Sequence, residues 1–330
     1  MTRLDSKLAR ILAGLYRPSD FIIADAKDVD MGPSLGAHGP NRAPDGTATR
    51  TRTRAEFLDQ IRAIVRQDIV DVMLASVSNI ETLSREGLFR DSAVKPAIRA
   101  NDTTDIWVMR GATYSRHPSR PFRSASLKHV RPYTDLGLYS VTFNHDLDAD
   151  HASLREFAAF RADAQANDFG YFLEVFNPNA DTGIAADVLP HYINDSIVRC
   201  LAGLTAAERP RFLKIAYNGA KALEELASFD PGLVVGVLGG GAGTTRDCFE
   251  LLAQAERYGA RVALFGRKIN LAESPLAMVA LMREVASQNL KPVEAVRAYH
   301  ADLKHHGIAP ARAHDDDNRI TEAVLMHAAA

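Results

Sequence analysis

Cysteine, tryptophan and long apolar runs are scarce in this chain of 330 residues. The chain contains two cysteines and one tryptophan. Cys200 and Cys248 fall in helical patterns without the spacing of metal ligands, so we expect two structural thiols in a reducing compartment. No run approaches the roughly 20 apolar residues of a membrane span, and residues 1–15 are too charged for a secretory signal. We therefore expect a cytoplasmic protein.

An excess of charge of either sign is also missing. The 39 basic residues (Lys and Arg) nearly balance the 41 acidic residues (Asp and Glu), so the formal net charge is -2. A surface this close to neutral does not attract nucleic acid or an anionic membrane non-specifically. We expect neither as a partner and expect a small-molecule substrate instead.

Short apolar runs alternate with amphipathic helical segments along most of the chain. The runs that we predict to be strands are 21–28, 69–76, 94–101, 138–146, 170–177, 212–219, 233–241 and 261–267. Helical patterns lie between most of them, and glycines stand at the ends of the last strands. This alternation is typical of a parallel α/β barrel. The sequence predicts a single-domain (β/α)8 TIM barrel over residues 1–330.

Four segments lie outside this repeat. A helix within residues 1–20 precedes the first strand and could close the bottom of the barrel. Residues 29–52 are rich in Gly, Pro, Thr and Arg, and a long irregular connection of this kind is either a lid or a flexible insertion. We favour a lid, because the segment follows the first strand directly. Residues 102–135 are predicted to be an insertion with a small hairpin around 105–109, and residues 290–330 a C-terminal helical extension.

A lysine stands in the middle of the sixth predicted strand. Lys214 lies between Leu213 and Ile215 in an apolar run. Burying an ammonium group costs several kcal/mol unless the group is paired or loses its proton. Loss of the proton yields a neutral amine that can attack a carbonyl. The alternative is a structural lysine paired with a carboxylate of a neighbouring strand, and this strand alone does not decide between the two.

Polar side chains on other strands are candidates for the same cavity. Glu174, in the fifth strand, is a candidate ion-pair partner or proton shuttle for Lys214. Tyr217 follows Lys214 at the end of the sixth strand and is a second candidate shuttle. Asp25 ends the first strand, which closes the barrel beside the eighth. Further candidate substrate-binding residues at strand ends are Lys27, Asn144 and His145.

Glycines after the last two strands indicate a phosphate site. Gly239 and Gly240 follow the seventh strand, and Gly266 and Arg267 follow the eighth. Glycine lets backbone N–H groups approach an anion closely, and the loops after strands seven and eight are the usual phosphate site of such barrels. Arg267 could add a charge-assisted hydrogen bond.

Residues 212–271 resemble the class I aldolases of the DeoC/LacD superfamily, in particular the fructose-bisphosphate and tagatose-bisphosphate branch. The resemblance implies that Lys214 forms a Schiff base with a ketose phosphate. It also implies that the turns Gly239-Gly240 and Gly266-Arg267 hold the phosphate.

Two further positions carry the resemblance, and one departs from it. Phe172-Leu-Glu174 is similar to a Leu-Glu pair on strand five of the tagatose-bisphosphate type, where the glutamate is a candidate for proton transfer. Asp25 falls where the family has a strand-one aspartate. That branch has a second lysine on strand four, whereas this sequence has Asn144 and His145 there.

Together these residues predict a class I lyase that cleaves a C–C bond of a phosphorylated ketose reversibly through Lys214. Glu174 or Tyr217 would move protons, and Asp25 would assist cleavage or orient a hydroxyl. We expect no metal, because the histidines share no ligand spacing, and no organic cofactor. Two alternatives stay open: a thiolase-like or other phospho-sugar conversion at the same site, and a non-catalytic sugar-phosphate-binding barrel. We expect a homo-oligomer, with the C-terminal helices as the candidate interface.

Overall fold

Eight parallel strands close into a barrel, as the sequence predicts. The computed structural model describes residues 2–32, 35–43, 45–102, 109–241 and 243–326. The strands are β1 (Ile22–Lys27), β2 (Pro40–Arg42), β3 (Ala48–Thr51), β4 (Val72–Ala75), β5 (Lys95–Arg99), β6 (Leu136–Thr142), β7 (Gly170–Phe176), β8 (Leu213–Ile215), β9 (Gly236–Leu238) and β10 (Val262–Phe265). All except β2 and β3 belong to the barrel, in the order β1-β10-β9-β8-β7-β6-β5-β4. β1 pairs with both β10 and β4, which closes the ring.

Helices follow most of the barrel strands and cover the outside of the sheet. The helices of the described residues are α1 (Arg3–Leu12), α2 (Arg54–Gln67), α3 (Val77–Arg85), α4 (Leu127–Val130), α5 (Leu147–Ala166), α6 (Leu189–Leu201), α7 (Ala220–Phe229), α8 (Thr245–Arg257), α9 (Arg267–Leu271), α10 (Pro275–Ala286), α11 (Pro292–His305), α12 (His314–Asp317) and α13 (Ala323–Met326). Capping boxes at Thr2, Thr53 and Thr244 begin α1, α2 and α8, because their hydroxyls satisfy N–H groups that lack a partner within the helix. No helix among these is both long and apolar enough to cross a membrane.

Side chains alternate between the inside and the outside of the barrel along each strand. On β1, Ile22 and Ala24 belong to the inner core, whereas Ile23 belongs to the outer core between the sheet and the helices. Leu4 and Leu8 of α1 complete the inner core from below. The prediction that the N-terminal helix closes the bottom of the barrel is therefore confirmed.

The segment 29–52 is more regular than the sequence suggested. It contains two short 3-10 turns and an antiparallel hairpin formed by β2 and β3. The Arg52 Nη1 donates to the carbonyl oxygen of Asn270 at 2.9 Å, which ties the end of the hairpin to α9. The expectation of an irregular connection was wrong, because period-two patterns are too short to detect in strands of three or four residues. That this segment acts as a lid stays a prediction.

The insertion 102–135 lies over the carboxyl end of the barrel. Most of the predicted hairpin around 105–109 falls outside the described residues. Asp102 and Phe122 exchange two backbone hydrogen bonds, of 3.0 and 2.9 Å. The Asn179 side chain, from the loop after β7, donates to the carbonyl oxygen of His117. These bonds attach the insertion to the mouth of the barrel.

The C-terminal extension packs on one side of the barrel and then returns to its mouth. α11 contacts α8 and α10. The chain after α11 passes along α8. Within α13, the Leu325 side chain is fully buried. The last described residues are therefore part of the folded barrel.

Candidate active site

Lys214 and Glu174 face each other across two neighbouring strands at the mouth of the barrel. They are partners in the register of β8 and β7. The Lys214 Nζ lies 2.5 Å from the Glu174 Oε1, and the two residues are 6% and 1% exposed. The buried ammonium thus has a buried carboxylate as its counterion, which offsets much of the cost of its burial. Lys214 therefore has the carboxylate partner expected of a structural lysine, and it also lines a cavity, as a catalytic lysine must.

Arg99, at the end of β5, lies at the centre of the charged network. Its Nε donates to the Asp28 Oδ2 at 2.6 Å, and its Nη2 donates to the Glu174 Oε2 at 3.1 Å. Its Nη1 donates to the Ser140 Oγ at 2.8 Å, and the Ser140 hydroxyl donates in turn to the Glu174 Oε2 at 2.7 Å. The Glu174 Oε2 is therefore held in place, while the Oε1 faces Lys214.

The electrostatics of this network keep Arg99 and Asp28 charged. Burial lowers the pKa of Arg99, but the carboxylates of Asp102, Asp28 and Glu174 outweigh burial and raise it above its ordinary value. Burial raises the pKa of Asp28, but Arg99 and Lys214 outweigh burial and lower it. The site thus alternates buried cations and anions, which stabilise each other at short range.

A cavity of about 420 Å³ opens above these residues. The polar and backbone groups that line it are Asp28, Arg99, Asp102, Tyr114, Glu174, Lys214, Gly239, Gly240, Gly266 and Arg267. Its size suits a small organic substrate. Among the described residues, no group of three or more His, Cys, Asp or Glu is arranged to hold a metal ion.

The predicted glycine turns form one wall of the cavity. A Cβ on Gly239 would lie 2.6 Å from the ring of Phe265, and one on Gly266 would lie 2.8 Å from the carbonyl oxygen of Ala26. Only glycine allows this close approach of the backbone. The Arg267 Nη2 donates to the carbonyl oxygen of Gly240 at 2.8 Å, so the two turns are joined to each other.

Asp25 and Lys27 do not reach the cavity, which corrects their predicted roles. They alternate along β1 with Ala26 and Asp28, which line the cavity, and so they face the helices. Both are fully buried, and the Lys27 Nζ lies 3.1 Å from the Asp25 Oδ2. Burial raises the pKa of Asp25 and lowers that of Lys27, and each group partly offsets the shift of the other. Asp28 occupies the cavity position that the sequence analysis gave to Asp25.

Three further predicted residues also lie away from the cavity. Tyr217 faces α8, where its hydroxyl donates to the Gln254 Oε1 at 2.8 Å. His145 is exposed, and its Nδ1 lies 3.1 Å from the carbonyl oxygen of Thr182. Asn144 is buried within the loop after β6 and does not line the cavity, and its backbone N–H donates to the Asp150 Oδ1. A position near a strand end did not indicate which side of the sheet a residue faces.

Asp28, Arg99, Ser140 and Tyr114 belong to the site although they were not predicted from the sequence. Alternation gave a usable signal for three of them, because Asp28, Arg99 and Ser140 continue the inward series of β1, β5 and β6. Tyr114 had no such signal, since it lies in the irregular insertion. Burial and the carboxylates of Asp102 and Glu174 raise the pKa of its hydroxyl to about 12.

Comparison with known proteins finds relatives by structure alone. No family model matches the sequence, and no curated protein sequence matches it. An archaeal fructose 1,6-bisphosphate aldolase superposes with a TM-score of 0.62 at 15% identity, over 86% of this chain and 99% of that chain. A Schiff-base-forming fructose-1,6-bisphosphate aldolase, studied through its reaction intermediates, gives 0.63 at 15% identity over the same shares.

A third similar structure comes from Corynebacterium glutamicum (Brevibacterium flavum). It was solved by a structural genomics effort, and it superposes with a TM-score of 0.57 at 18% identity, over 87% of this chain and 94% of that chain. At these identities the likeness concerns the course of the backbone. The chain therefore has the (β/α)8 barrel fold of an archaeal fructose-1,6-bisphosphate aldolase.

Proposed function

We propose that this protein is a class I aldolase-type lyase that breaks and forms a C–C bond of a ketose through a Schiff base on Lys214. The observation that carries the proposal is the contact between the Lys214 Nζ and the Glu174 Oε1, 2.5 Å apart at the floor of the cavity. An amine beside a proton acceptor is the arrangement that imine formation requires. The shared fold with a Schiff-base-forming aldolase supports the proposal.

Imine formation begins when the Glu174 Oε1 takes a proton from the Lys214 ammonium. The free electron pair of the amine attacks the ketone carbon, and a proton passes from the nitrogen to the former carbonyl oxygen, which gives a neutral carbinolamine while Glu174 keeps its proton. Glu174 then protonates the departing hydroxyl, which leaves as water and yields a protonated imine. Arg99 and Ser140 hold the other carboxylate oxygen throughout, so Glu174 stays oriented towards the reacting nitrogen.

Cleavage requires a base for the hydroxyl two carbons from the imine carbon. Asp28 lines the cavity together with Glu174 and Asp102, and in this mechanism it takes the part that the sequence suggested for Asp25. As the hydroxyl proton moves to Asp28, the C–C electron pair moves into the imine, and an aldehyde leaves behind an enamine. Asp28 returns this proton to the enamine carbon. Water then hydrolyses the imine, which frees Lys214 and releases the second product, a ketone.

The glycine turns hold the end of the substrate that lies away from Lys214. Gly239, Gly240, Gly266 and Arg267 present backbone groups and one guanidinium to the cavity, and such groups bind oxygen atoms of a ligand. No step of the scheme uses a metal, so we propose a metal-independent enzyme whose turnover persists in EDTA.

Borohydride trapping tests the proposal. We expect the intact mass of the protein to increase by one reduced ketone only when borohydride and a short ketose are both present, with parallel loss of turnover. The Lys214→Arg variant keeps a cation beside Glu174 but lacks a nucleophilic amine, so it should form no adduct. A wild-type mass unchanged by a panel of phosphorylated and unphosphorylated ketones would contradict the mechanism.

A further inference from the structure

A side chain from the C-terminal tail reaches the glycine turn after β9. Gly240 and Gly241 lie beside the Glu322 carboxylate: a Cβ on Gly241 would be 3.3 Å from the Oε1, and one on Gly240 would be 3.5 Å from the Oε2. From the sequence, the turn at Gly239-Gly240 is predicted to bind a substrate phosphate. In the structure, a carboxylate of the protein itself lies beside this turn.

The groups around the Glu322 carboxylate are those that would otherwise bind a phosphate. Burial and the neighbouring Asp247 raise the pKa of Glu322 above its ordinary value, and the charge of Arg267 partly offsets this shift. The Arg267 guanidinium is also engaged by the carbonyl oxygen of Gly240. The cation that would recognise a phosphate is therefore already partnered by a carbonyl oxygen of the turn.

Glu322 cannot simply swing away, because the tail around it is fixed. The Asp247 carboxylate accepts hydrogen bonds from the N–H groups of Thr321 and Glu322, at 2.7 and 3.2 Å. The Gln254 Nε2 donates to the carbonyl oxygen of Leu325 at 2.8 Å, and the Leu325 side chain is fully buried. The backbone on both sides of Glu322 is thus fixed, which keeps its carboxylate beside the turn whose Gly240 lines the cavity.

We propose that Glu322 is a specificity-determining residue, which selects ketoses with an uncharged hydroxyl, rather than a phosphate, at the end that meets the Gly240–Gly241 turn. The inference rests on the aldolase reaction proposed above and names its substrate class. A phosphate dianion at the turn would meet the Glu322 carboxylate at short range and would have to displace it from Gly241, whereas a hydroxyl can donate to it. Asp247, behind Glu322, adds a second negative charge against a phosphate.

Dihydroxyacetone and its phosphate are suitable probes, because they differ only in the end group. We expect borohydride trapping on the wild type to half-saturate at a concentration about tenfold lower, or more, for dihydroxyacetone than for dihydroxyacetone phosphate. Glu322→Gln keeps the shape of the side chain and removes the charge. It should improve trapping of the phosphate about tenfold and should not improve trapping of dihydroxyacetone, because a neutral amide oxygen is a weaker acceptor for its hydroxyl than a carboxylate is. Asp315→Asn, which alters a carboxylate that is 95% exposed in the same tail, is the matched control and should change neither value.

Binding of inorganic phosphate, measured by 31P NMR, tests the inference independently of Schiff-base chemistry. We expect no saturable binding to the wild type up to about 10 mM and clear binding to Glu322→Gln. Preferential trapping of the phosphorylated probe by the wild type would overturn the inference, as would inorganic phosphate binding that is equal in the two proteins. If neither ketone forms an adduct, the aldolase proposal fails, and the phosphate titration still decides whether Glu322 excludes an anion.

Discussion

At the scale of single residues, the two oxygens of Glu174 have different tasks. The Oε1 faces the Lys214 amine, and the Oε2 is fixed by Arg99 and Ser140. A carboxylate fixed on one side can exchange a proton on the other without losing its orientation. Arg99 in turn links Glu174 to Asp28, so the two carboxylates of the proposed mechanism share one cation.

Replacing Glu174 by Gln should abolish proton transfer while preserving the shape of the site. We expect kcat to fall about a hundredfold to ten-thousandfold, because the amide cannot take a proton from Lys214. Steady-state kinetics on a substrate identified by trapping measures the effect. Glu224→Gln, at an exposed glutamate of α7, is the control and should leave kcat unchanged. A Glu174→Gln variant with wild-type kcat would show that another group moves the protons.

Replacing Arg99 by Met should destabilise the fold. The variant leaves the buried carboxylate of Asp28 without its guanidinium and removes one of the two cations beside Glu174. Loss of one partner of a buried ion pair costs about 3–5 kcal/mol, which urea denaturation at pH 7 measures. Arg85→Met, at a side chain that is 68% exposed, should leave the urea midpoint unchanged. Equal midpoints for the two variants would contradict this description of the network.

Some inward residues can be predicted from an unusual charge, and the others only from the alternation of side chains along each strand. Lys214 and Glu174 stood out because a charge in an apolar run is unusual. Asp25 and Asp28 both stand near the end of the first strand. The inward series Ile22, Ala24 and Ala26 continues to Asp28, so alternation predicts that Asp28 faces the cavity. Proximity to the strand end favoured the wrong aspartate, because a shift of one residue moves a side chain to the other face.

At the scale of secondary-structure elements, α1 closes the bottom of the barrel and is tied there by charge as well as by apolar contact. The Arg211 Nη2 donates to the Asp5 Oδ1 at 2.7 Å, which joins α1 to the segment before β8. Burial raises the pKa of Asp5, but hydrogen bonds from Thr2 and Arg211 outweigh burial and lower it to about 2. The ionised carboxylate therefore stabilises the attachment of α1.

The Asp5→Asn variant should lose this stabilisation in a pH-dependent way. Because the folded-state pKa lies below the ordinary value of 3.8, the contribution is present above about pH 4 and is lost as the pH falls towards 2. We expect a loss of about 1 kcal/mol at pH 7, after allowing for solvent screening of a partly exposed pair. Urea denaturation of both proteins from pH 7 down to pH 2 measures it. A difference that did not shrink in acid would contradict the assignment to Asp5.

The barrel elements were predictable because they are long or strongly apolar, and the connections were not. The barrel strands are mostly buried, and strands such as β4 and β10 are continuous apolar runs. β2 and β3 are short, and β3 is exposed along its whole length, so neither gave a hydrophobic pattern. The insertion 102–135 depends on contacts with the loop after β7, which local sequence does not encode.

At the scale of the whole molecule, the C-terminal tail and the barrel form one structure. The tail hydrogen-bonds along α8 through Asp317, Thr321 and Leu325, and it brings Glu322 to the Gly240–Gly241 turn. The sequence predicted a helical extension over 290–330 but not its return to the active-site end. A contact between residues that are 75 positions apart, such as Asp247 and Glu322, leaves no local pattern. Assembly into a homo-oligomer stays a prediction.

Truncation of Leu325 to Ala should show that the tail belongs to the core. Removing a fully buried leucine side chain costs about 2–5 kcal/mol, which urea denaturation measures. Met326→Ala, at the next residue, is the control: this side chain is 47% exposed, and its loss should cost about 0.5 kcal/mol or less. Similar small effects for both variants would mean that the tail is not packed on α8 and that Glu322 is free to move.

Peptide mapping of the borohydride-reduced adduct identifies the residue that forms the Schiff base, which we propose to be Lys214. Lys27 is the appropriate internal comparison, because it is also a buried lysine on a barrel strand but faces the helices. We predict that the reduced ketone is found on the peptide that contains Lys214 and on no other lysine. An adduct on Lys27 or on surface lysines, with Lys214 unmodified, would contradict the account.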